Sequence, residues 1–518
     1  MSSSPELSPI SSDEDGSADR MRERAPKKPV AAIFIHAGAG YHSATNERVH
    51  LQACHDAARL AMSFLRAGAT ATEAVVSAIR VLENNEITNA GFGSNLNIDG
   101  VVECDATVVD HLGRSGACGA VPGVRNPICL AKLILDKSSQ PLSLRRVPPN
   151  ILVGEGARQF ARDHGYMTVL NEFLVSRNAK DRYIRWHEDL RRAEARLNAR
   201  ATSNKTTFSV PPRTPTPGDY EKAADPAIQV QRRDHSSAIL TGTWNEGQPD
   251  SPASDLSQPP ASAHDGSANG DGNAEDMEMD YSEYPETSGY AATSDMGHAN
   301  IPHPDDSSMA QHYPAVEDDD IDVITDTVGA IAIDLQGHIA AGSSSGGIGM
   351  KHRGRIGPAA LVGVGTAVVP QDPADPTATS VAVVTSGTGE HMATTLASAR
   401  CAERLFQGSR RGPGGRDVHE DDEHAALESF ITDDFMGHPG VRSQPSTGAI
   451  GVMAVKKDVS GICFYFAHNT DSFALASMAS TEREPLCVMS RRGGGGSSST
   501  TSSSSGSKVA LGGRKIRV

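Results

Sequence analysis

Two hydroxyl residues, Thr327 and Ser345, lie at the open end of a hairpin that the sequence predicts. Residues 327–334 (TVGAIAID) and 338–345 (HIAAGSSS) have the composition of two buried strands, and the three-residue loop between them ends in Gly337. Such loops place a glycine at a positive φ angle. Pairing the residues on either side of the loop and counting outward puts Thr327 opposite Ser345, so the two hydroxyls should face each other.

Thr327 also follows an acidic segment that includes the run EDDD at 317–320 and ends in Asp326. The hydroxyl of Thr327 could attack the carbonyl carbon of Asp326 within the same chain, where high effective molarity lowers the barrier. A free α-amine has a pKa of about 7.7 to 8.0 and can accept a hydroxyl proton near neutral pH. After cleavage, nucleophile and base would therefore belong to one residue. The alternative interpretation is an ordinary threonine at the start of a strand.

Hydrophobic periodicity predicts the elements that would hold this hairpin. An apolar run at 31–35 indicates a buried strand, and a helical pattern from Val49 ends at Gly68. Thr70 and Glu73 have the spacing of a capping box, which predicts the start of a second helix. Further elements are expected at 101–110 and 117–121 (strands) and at 128–136 and 154–164 (helices).

Composition divides the 518 residues into two blocks able to fold and three polar segments. Because a structureless insert of this length is rare inside a compact domain, the middle segment is predicted to be a linker. A loop is expected at 408–422. The predicted segments are a disordered N-terminal tail (1–28), a first folded block (29–170), a charged helix followed by a disordered linker (171–321), a second folded block (322–489) and a disordered C-terminal tail (490–518).

Composition also argues against several classes of protein. A membrane span needs about 20 apolar residues, and neither such a run nor a signal peptide is found. The net charge of −16 argues against non-specific nucleic-acid binding, which requires a basic surface. The 7 cysteines are scattered without metal-ligand spacing, which predicts free thiols in an intracellular protein. Three basic clusters are either solvated charge or signals for entry to the nucleus, and nucleus and cytoplasm are the expected locations: 22–28, 232–233 and 514–517.

Motifs in both folded blocks resemble one known family. They are HAGAGYHS (36–43), TNAGFGSNLN (88–97), ECDA (103–106), GAV (119–121), NP (126–127), VGEGA (153–157), DTVG (326–329), SSGG (344–347), GRIG (354–357) and TSGTGEH (385–391). In this order they resemble the type 2 asparaginases, particularly their taspase (threonine aspartase) branch. The resemblance covers about 31–165 and 322–480.

The resemblance implies an α/β fold, a four-layer αββα sandwich of the N-terminal nucleophile hydrolase type. It also implies autoproteolysis into alpha and beta fragments that remain together as a heterodimer, often as a dimer of heterodimers. Thr327 matches the family's nucleophile, and Ser345 matches the hydroxyl residue that orients it. Ser386 and Gly387 match the pair that receives the negative charge of the tetrahedral intermediate, an effect worth about 3 to 4 kcal/mol per donor.

Substrate binding in the family is carried over to three residues of this chain. Arg355 matches a residue that grips a substrate carboxylate, for which a guanidinium is well shaped. In the asparaginases an aspartate three residues later binds the α-ammonium group of a free amino acid, whereas this chain has Pro358. That difference favours an endopeptidase that cleaves proteins after aspartate. Arg48 lies near the position of a basic residue in taspases, where lysine is usual, and Asn89 matches a loop that shapes the active site.

The resemblance implies no required cofactor, although the loop around Asn89 aligns with one that binds a structural sodium ion in asparaginases. No zinc spacing is found, so no other metal is expected. Protein substrates containing aspartate are the expected partners, with neither nucleic acid nor membrane among them. Two alternatives stay open: an asparaginase or isoaspartyl peptidase that acts on small molecules, and a non-catalytic scaffold. A dinucleotide-binding turn at 38–40 is set aside, because a lone GxG is weak.

Overall fold

The structure is a computed structural model, and it describes residues 29–44, 46–206, 327–444, 448–492 and 509–517. The tail at 1–28, the linker after residue 206, Asp326, and the basic clusters at 22–28 and 232–233 lie outside the described residues. Predictions for those segments therefore stay predictions.

Helices come from both folded blocks of the chain. In the first block they are α1 (Glu47–Arg66), α2 (Ala71–Glu83), α3 (Pro127–Ser138), α4 (Gly154–Asp163) and α5 (Arg177–Thr206). In the second they are α6 (Gly389–Thr395), α7 (Ala397–Gln407), α8 (Glu423–Ser429), a π-helix (Phe430–Met436) and α9 (Pro439–Arg442).

Strands also come from both blocks. They are β1 (Ala32–Gly40), β2 (Glu103–Val109), β3 (Ser115–Pro122), β4 (Ile151–Val153), β5 (Val328–Ile333), β6 (Ile339–Ser345), β7 (Thr366–Val369), β8 (Ser380–Gly387), β9 (Ser409–Arg411), β10 (Asp417–His419), β11 (Ile450–Asp458), β12 (Gly461–His468), β13 (Ser472–Ala479), β14 (Leu486–Arg491) and β15 (Ala510–Ile516).

The strands form a mixed α/β fold with more than one sheet. The larger sheet has the order β14-β13-β1-β5-β6-β2-β3-β4, and the smaller has the order β15-β12-β11-β8-β7. Strands β9 and β10 form a separate hairpin. Because β5 and β6 lie between β1 and β2, the second block of the chain is inserted into the sheet that the first block begins. The two blocks therefore need each other to complete one sheet.

Strand β1 shows how the larger sheet buries both of its faces. Ile33 and Ile35 belong to a hydrophobic cluster with residues of α1, α2 and α3. Phe34, which points the other way, joins a second cluster with Val384 of β8 and Phe464 of β12. A strand covered on both faces reads as a continuous apolar run, which is how 31–35 appears in the sequence. A third cluster packs β8 and β11 against α7 and the π-helix.

The predicted hairpin is confirmed in its register as well as its existence. Val328 of β5 pairs with Ser344 of β6, and Ile333 pairs with Ile339. Extending this ladder by one residue puts Thr327 opposite Ser345, as counted from the sequence. Gly337 in the loop has a φ of 79°.

The capping box that begins α2 is also confirmed. The Thr70 side chain accepts a hydrogen bond from the Glu73 backbone N–H, and the Glu73 carboxylate accepts one from the Thr70 N–H at 2.8 Å. The remaining elements expected in the first block are present as α1, α3, α4, β2 and β3.

The end of the chain differs from the predicted disordered tail at 490–518. Ala510–Ile516 forms β15, which pairs with residues 462–468 of β12 at the edge of the smaller sheet. Arg514 makes a double contact with Glu482, at 2.7 and 2.9 Å, so part of the basic cluster at 514–517 is a structural ion pair. The glycine-rich composition hid the strand, because its stability comes from the exposed edge of β12 that it covers.

Three further features of the described residues correspond to expectations from the sequence. The loop expected at 408–422 contains the short hairpin of β9 and β10. All 7 cysteines are free thiols. Within the described residues, every helix is either too short or too polar to cross a membrane.

Candidate active site

In the larger sheet, Thr327 and Ser345 lie at the same end of two neighbouring strands. Strand β5 begins directly after Thr327, and its antiparallel partner β6 ends at Ser345. Strand β1 is also antiparallel to β5 and ends at Gly40. The start of β5 and the ends of β1 and β6 therefore lie together.

Thr327 and Ser345 are both almost fully buried, with 6% and 3% of their surfaces exposed. The Ser345 hydroxyl oxygen accepts a hydrogen bond from the Gly347 N–H at 2.9 Å, which fixes the turn after β6. On the other side of β6 lies β2, where Asp105 pairs with Ser345. The hydroxyl opposite Thr327 thus lies at the end of β6 and holds the first residues of the turn that follows.

Strand β8 of the smaller sheet meets this end of the larger sheet through Ser386. The Ser386 hydroxyl oxygen accepts a hydrogen bond from the Ala39 N–H at 3.2 Å, which joins the ends of β8 and β1. A hydroxyl can accept and donate at the same time, so this bond leaves the Ser386 proton available. Gly387 follows at a φ of 147°, and a Cβ there would lie 2.1 Å from the Ala449 carbonyl oxygen. Only glycine fits at this position.

Arg355 lies against the turn after Ser345 and the segment after Gly387, because three glycines make room for its guanidinium. A Cβ at Gly347 would lie 3.0 Å from Nη1, one at Gly357 would lie 2.8 Å from Nη1, and one at Gly389 would lie 2.6 Å from Nη2. The Arg355 side chain is 14% exposed, and its Nε and Nη2 both donate to Glu390 Oε1, at 2.9 and 2.8 Å. Arg355 therefore adjoins both the turn after Ser345 and the segment after Gly387.

Asp105 and Lys351 were not predicted to be site residues. Both hold the backbone of the segments around Arg355 and Ser345. Asp105 is buried, and its two carboxylate oxygens accept the N–H groups of Ala120 and Gly357, each at 2.8 Å. Burial raises the pKa of Asp105, an effect that the Lys351 ammonium opposes. The motif ECDA at 103–106 was the available signal, since a carboxylate inside a buried strand needs a partner.

Lys351 lies close to Arg353 and Arg355 in the sequence, and a basic segment of this kind is usually solvated. Its ammonium is buried and donates to the carbonyl oxygens of Glu103 and Gly346, at 2.6 and 3.0 Å. Burial lowers the pKa of Lys351, and the nearby Asp105 opposes that shift. The lysine links β2 to the turn after Ser345, which explains why a charged residue lies in the core.

Asn89 supports the same turn and is only 1% exposed. Its Nδ2 donates to the Gly347 carbonyl oxygen at 2.9 Å, and its backbone carbonyl accepts the Gly346 N–H at 2.8 Å. Its Oδ1 accepts the Asn95 N–H at 2.9 Å. These contacts describe a residue that shapes the turn, and its predicted contact with substrate stays a prediction.

Arg48 is not brought into this group. It lies exposed in the first turn of α1, beside an open groove. The groove is lined by Ala44, Glu47, Arg48, Leu51, Gln52, His55 and Cys487. None of these other residues is a predicted site residue, so the structure adds no support for a role of Arg48.

The loop before β2 is held by hydrogen bonds to its own backbone. The Thr88 hydroxyl lies 2.6 Å from the carbonyl oxygen of Leu82 and 3.1 Å from that of Asn85. A carbonyl oxygen has two lone pairs, so these contacts leave the suggested sodium ion a prediction. No cluster of histidine, cysteine or acidic side chains suited to a metal is present in the described part of the chain.

A buried histidine lies on β1, the strand next to β5 in the larger sheet. His36 pairs with Gly329, and a Cβ on Gly329 would lie 2.3 Å from His36 Nε2. Among the residues that the structure describes, neither ring nitrogen of His36 has a hydrogen-bond partner. Burial lowers the pKa of His36 to about 3, so the ring is neutral at physiological pH.

Comparison with known proteins identifies the family. A model of the family described as asparaginase (Asparaginase_2) matches residues 29–222 and 273–423, which is more than half of the chain. The chain belongs to this asparaginase family. The family is part of the N-terminal nucleophile hydrolase superfamily.

Individual relatives agree with this assignment. An isoaspartyl peptidase/L-asparaginase of Danio rerio is 37% identical over 164 residues, which are 31% of this chain and 48% of the relative. A protein of the same name from Mus musculus is 36% identical over 152 residues (29% and 43%), and a plant-type L-asparaginase of Pyrococcus horikoshii is 39% identical over 140 residues (26% and 42%). The chain thus spans about half of the length of the curated relatives it matches. These names support the asparaginase family without singling out its taspase branch.

Proposed function

We propose that this chain is a threonine-type hydrolase that cleaves itself between Asp326 and Thr327 and then uses Thr327 as an N-terminal nucleophile. The observation that carries the proposal is that the start of β5 beside Thr327, the end of β6 at Ser345 and the end of β1 lie together, with Ser386 of β8 hydrogen-bonded to the end of β1 through Ala39. Membership of the asparaginase family supports it. In this proposal the two sheets and their helices correspond to the αββα sandwich of the superfamily.

Self-cleavage would begin with attack of the Thr327 hydroxyl on the Asp326 carbonyl carbon. The hydroxyl loses its proton, the C–N bond of the peptide breaks, and the nitrogen takes up a proton to become the α-amine of Thr327. The resulting ester between Asp326 and the threonine oxygen is then hydrolysed by water, which yields a carboxylate and a free hydroxyl. Ser345, opposite Thr327, would hold the Thr327 hydroxyl near the Asp326 carbonyl carbon.

In the mature enzyme the Thr327 α-amine would act as the base for its own hydroxyl. The hydroxyl attacks the substrate carbonyl, and the negative charge moves to the carbonyl oxygen. The Ser386 hydroxyl and the Gly387 N–H are the proposed donors to that oxygen. The lack of a side chain at Gly387 supports this role, because a Cβ there would collide with the Ala449 carbonyl oxygen.

For the substrate we propose a protein that is cleaved after aspartate, with Arg355 receiving the aspartate carboxylate. Pro358 supports this choice, since it leaves no carboxylate at the position that binds a free α-ammonium group in asparaginases. Pro358 lies against the same glycine as the guanidinium: a Cβ at Gly389 would be 2.9 Å from its Cδ. The nearby Asp105 cannot replace the missing carboxylate, because both of its oxygens bind backbone N–H groups.

A second candidate function is that of an isoaspartyl peptidase or asparaginase acting on small molecules. The names of the relatives support this candidate better than they support the first. The two candidates share nucleophile and chemistry and differ in whether the substrate has a free α-ammonium group.

The remaining parts of the proposal concern assembly and location. The alpha and beta fragments would stay together as a heterodimer, because β5 and β6 lie in the middle of a sheet whose other strands include β1 and β2. Pairing of two heterodimers, and function in the nucleus and cytoplasm, are proposed on the resemblance and on the basic clusters alone.

Initial rates on three substrates test the choice between the candidates. The purified full-length protein is incubated with an aspartate-containing peptide based on residues 320–332, with a β-aspartyl dipeptide, and with L-asparagine. The first candidate predicts cleavage of the peptide after aspartate, with a rate constant kcat/KM at least tenfold above those for the small substrates. Turnover of the dipeptide or asparagine in preference to the peptide would select the second candidate. A Thr327→Ala variant should lack all three activities.

A further inference from the structure

Glu390 already binds the guanidinium that the proposed function assigns to the substrate. Its Oε1 accepts hydrogen bonds from both Nε and Nη2 of Arg355, at 2.9 and 2.8 Å. Charge-assisted contacts of this kind are among the stronger hydrogen bonds in proteins. A carboxylate of the chain itself therefore occupies a carboxylate-binding group.

The contacts of Arg355 differ in how exposed the contacting group is. Nη1 lies against Gly347 and Gly357, and Nη2 lies against Gly389, where an added Cβ would be within 3.0 Å of the guanidinium. Nε and Nη2 also bind Glu390, whose side chain is 61% exposed, whereas that of Arg355 is 14% exposed. The carboxylate that holds the Nε–Nη2 edge is thus in contact with solvent, from which a substrate carboxylate would arrive.

We propose that Glu390 is an autoinhibitory residue that occupies the carboxylate-binding edge of Arg355 until a substrate carboxylate displaces it. This inference rests on the proposed function, in which Arg355 receives the aspartate side chain. Glu390 is free to leave because most of its surface is already in solvent. It lies three residues after Gly387, so its displacement would occur beside the proposed oxyanion donors.

Such an exchange has a consequence for affinity. A group of the chain that occupies Arg355 lowers the apparent affinity of every ligand that needs the same guanidinium edge, in proportion to the fraction of molecules in which that edge is unoccupied. A peptide and a small carboxylate would therefore be weakened by the same factor. Glu390 would in this way set how tightly the site binds carboxylates.

Substitution of Glu390 should strengthen carboxylate binding without altering the chemical step. An exposed ion pair contributes up to about 1 kcal/mol, which corresponds to a factor of about five in affinity. We expect Glu390→Gln and Glu390→Ala to lower KM for the aspartate peptide about two- to fivefold, with kcat unchanged. Glu420→Gln is the matched control, because Glu420 also binds an arginine, Arg410 at 2.9 Å, in the separate β9–β10 hairpin. It should leave KM unchanged.

Binding of succinate, measured by calorimetry on the full-length protein, separates this inference from the proposed function. Glu390→Ala should bind succinate about two- to fivefold more tightly than the wild type. When Arg355→Gln is also present, adding Glu390→Ala should leave the affinity for succinate unchanged. Succinate affinity equal in the wild type and both Glu390 variants would overturn the inference even if peptide cleavage occurs. An increased KM, or a lower kcat, in the Glu390 variants would also overturn it, since Glu390 would then be orienting Arg355. If no aspartate peptide is cleaved, the proposed function fails while the succinate result still decides the role of Glu390.

Discussion

The buried ring of His36 makes the folded protein sensitive to acid by an amount that can be calculated. Folding lowers its pKa from 6.5 to about 3 because burial disfavours the charged imidazolium. Below pH 6.5 the unfolded chain binds a proton that the folded chain does not, so stability falls as the pH falls. Between pH 7.5 and pH 5 this one group should remove about 2 kcal/mol from the free energy of unfolding.

Replacing the ring tests this calculation directly. His36→Leu should reduce the difference in unfolding free energy between pH 7.5 and pH 5 by about 2 kcal/mol. The measurement is urea unfolding at the two pH values, made in a Thr327→Ala background so that the chain stays in one piece. His352→Leu is the control, because His352 is exposed and its replacement should leave the difference unchanged. An unchanged difference in the His36 variant would contradict this prediction, since the buried ring would then not resist protonation.

Two further substitutions and one truncation probe the site and the fold. Ser386→Ala should lower kcat about 100-fold or more with little change in KM, measured with the preferred substrate, because one donor to the oxyanion is lost; a change of less than tenfold would argue against that role. Gly329→Ala should destabilise the protein by about 1 to 3 kcal/mol in urea unfolding, since its Cβ would lie 2.3 Å from His36 Nε2 in a packed core. Removal of residues 509–518 should lower the melting temperature by several degrees by exposing the edge of β12, and an unchanged melting temperature would contradict the packing of β15.

The hairpin register could be predicted from sequence because its determinants are local. A glycine that allows a positive φ angle fixes the loop, and a strand period of two residues then fixes every pair up to Val328 and Ser344. The same holds for α2, where Thr70 and Glu73 identify the first turn by themselves. Both features depend on residues close together in the chain.

Features that depend on distant partners were missed. Strand β15 contains two glycines and two basic residues, and it is a strand because β12 offers an unpaired edge. Lys351 reads as a solvated residue among other basic residues, yet it is buried because the Glu103 and Gly346 carbonyls meet at its ammonium. No local pattern contains either fact, since each partner comes from another part of the chain.

The site itself was predictable in part. Motif resemblance selected Thr327, Ser345, Ser386 and Arg355 from segments far apart in the chain, and the structure brings the segments that carry them to one edge. The resemblance did not identify Glu390 as the partner of Arg355. Their contact arises only because the glycines at the two turns let the guanidinium approach α6.

The N-terminal sequence of the smaller fragment tests the central claim most directly. Cleavage before Thr327 should divide the 54.4 kDa chain into fragments of about 34 and about 20 kDa, in proportion to their lengths. The smaller fragment should begin Thr-Val-Gly-Ala, and a Thr327→Ala variant should remain whole. A smaller fragment that begins at another residue, or an alanine variant that is cut as readily as the wild type, would contradict the account.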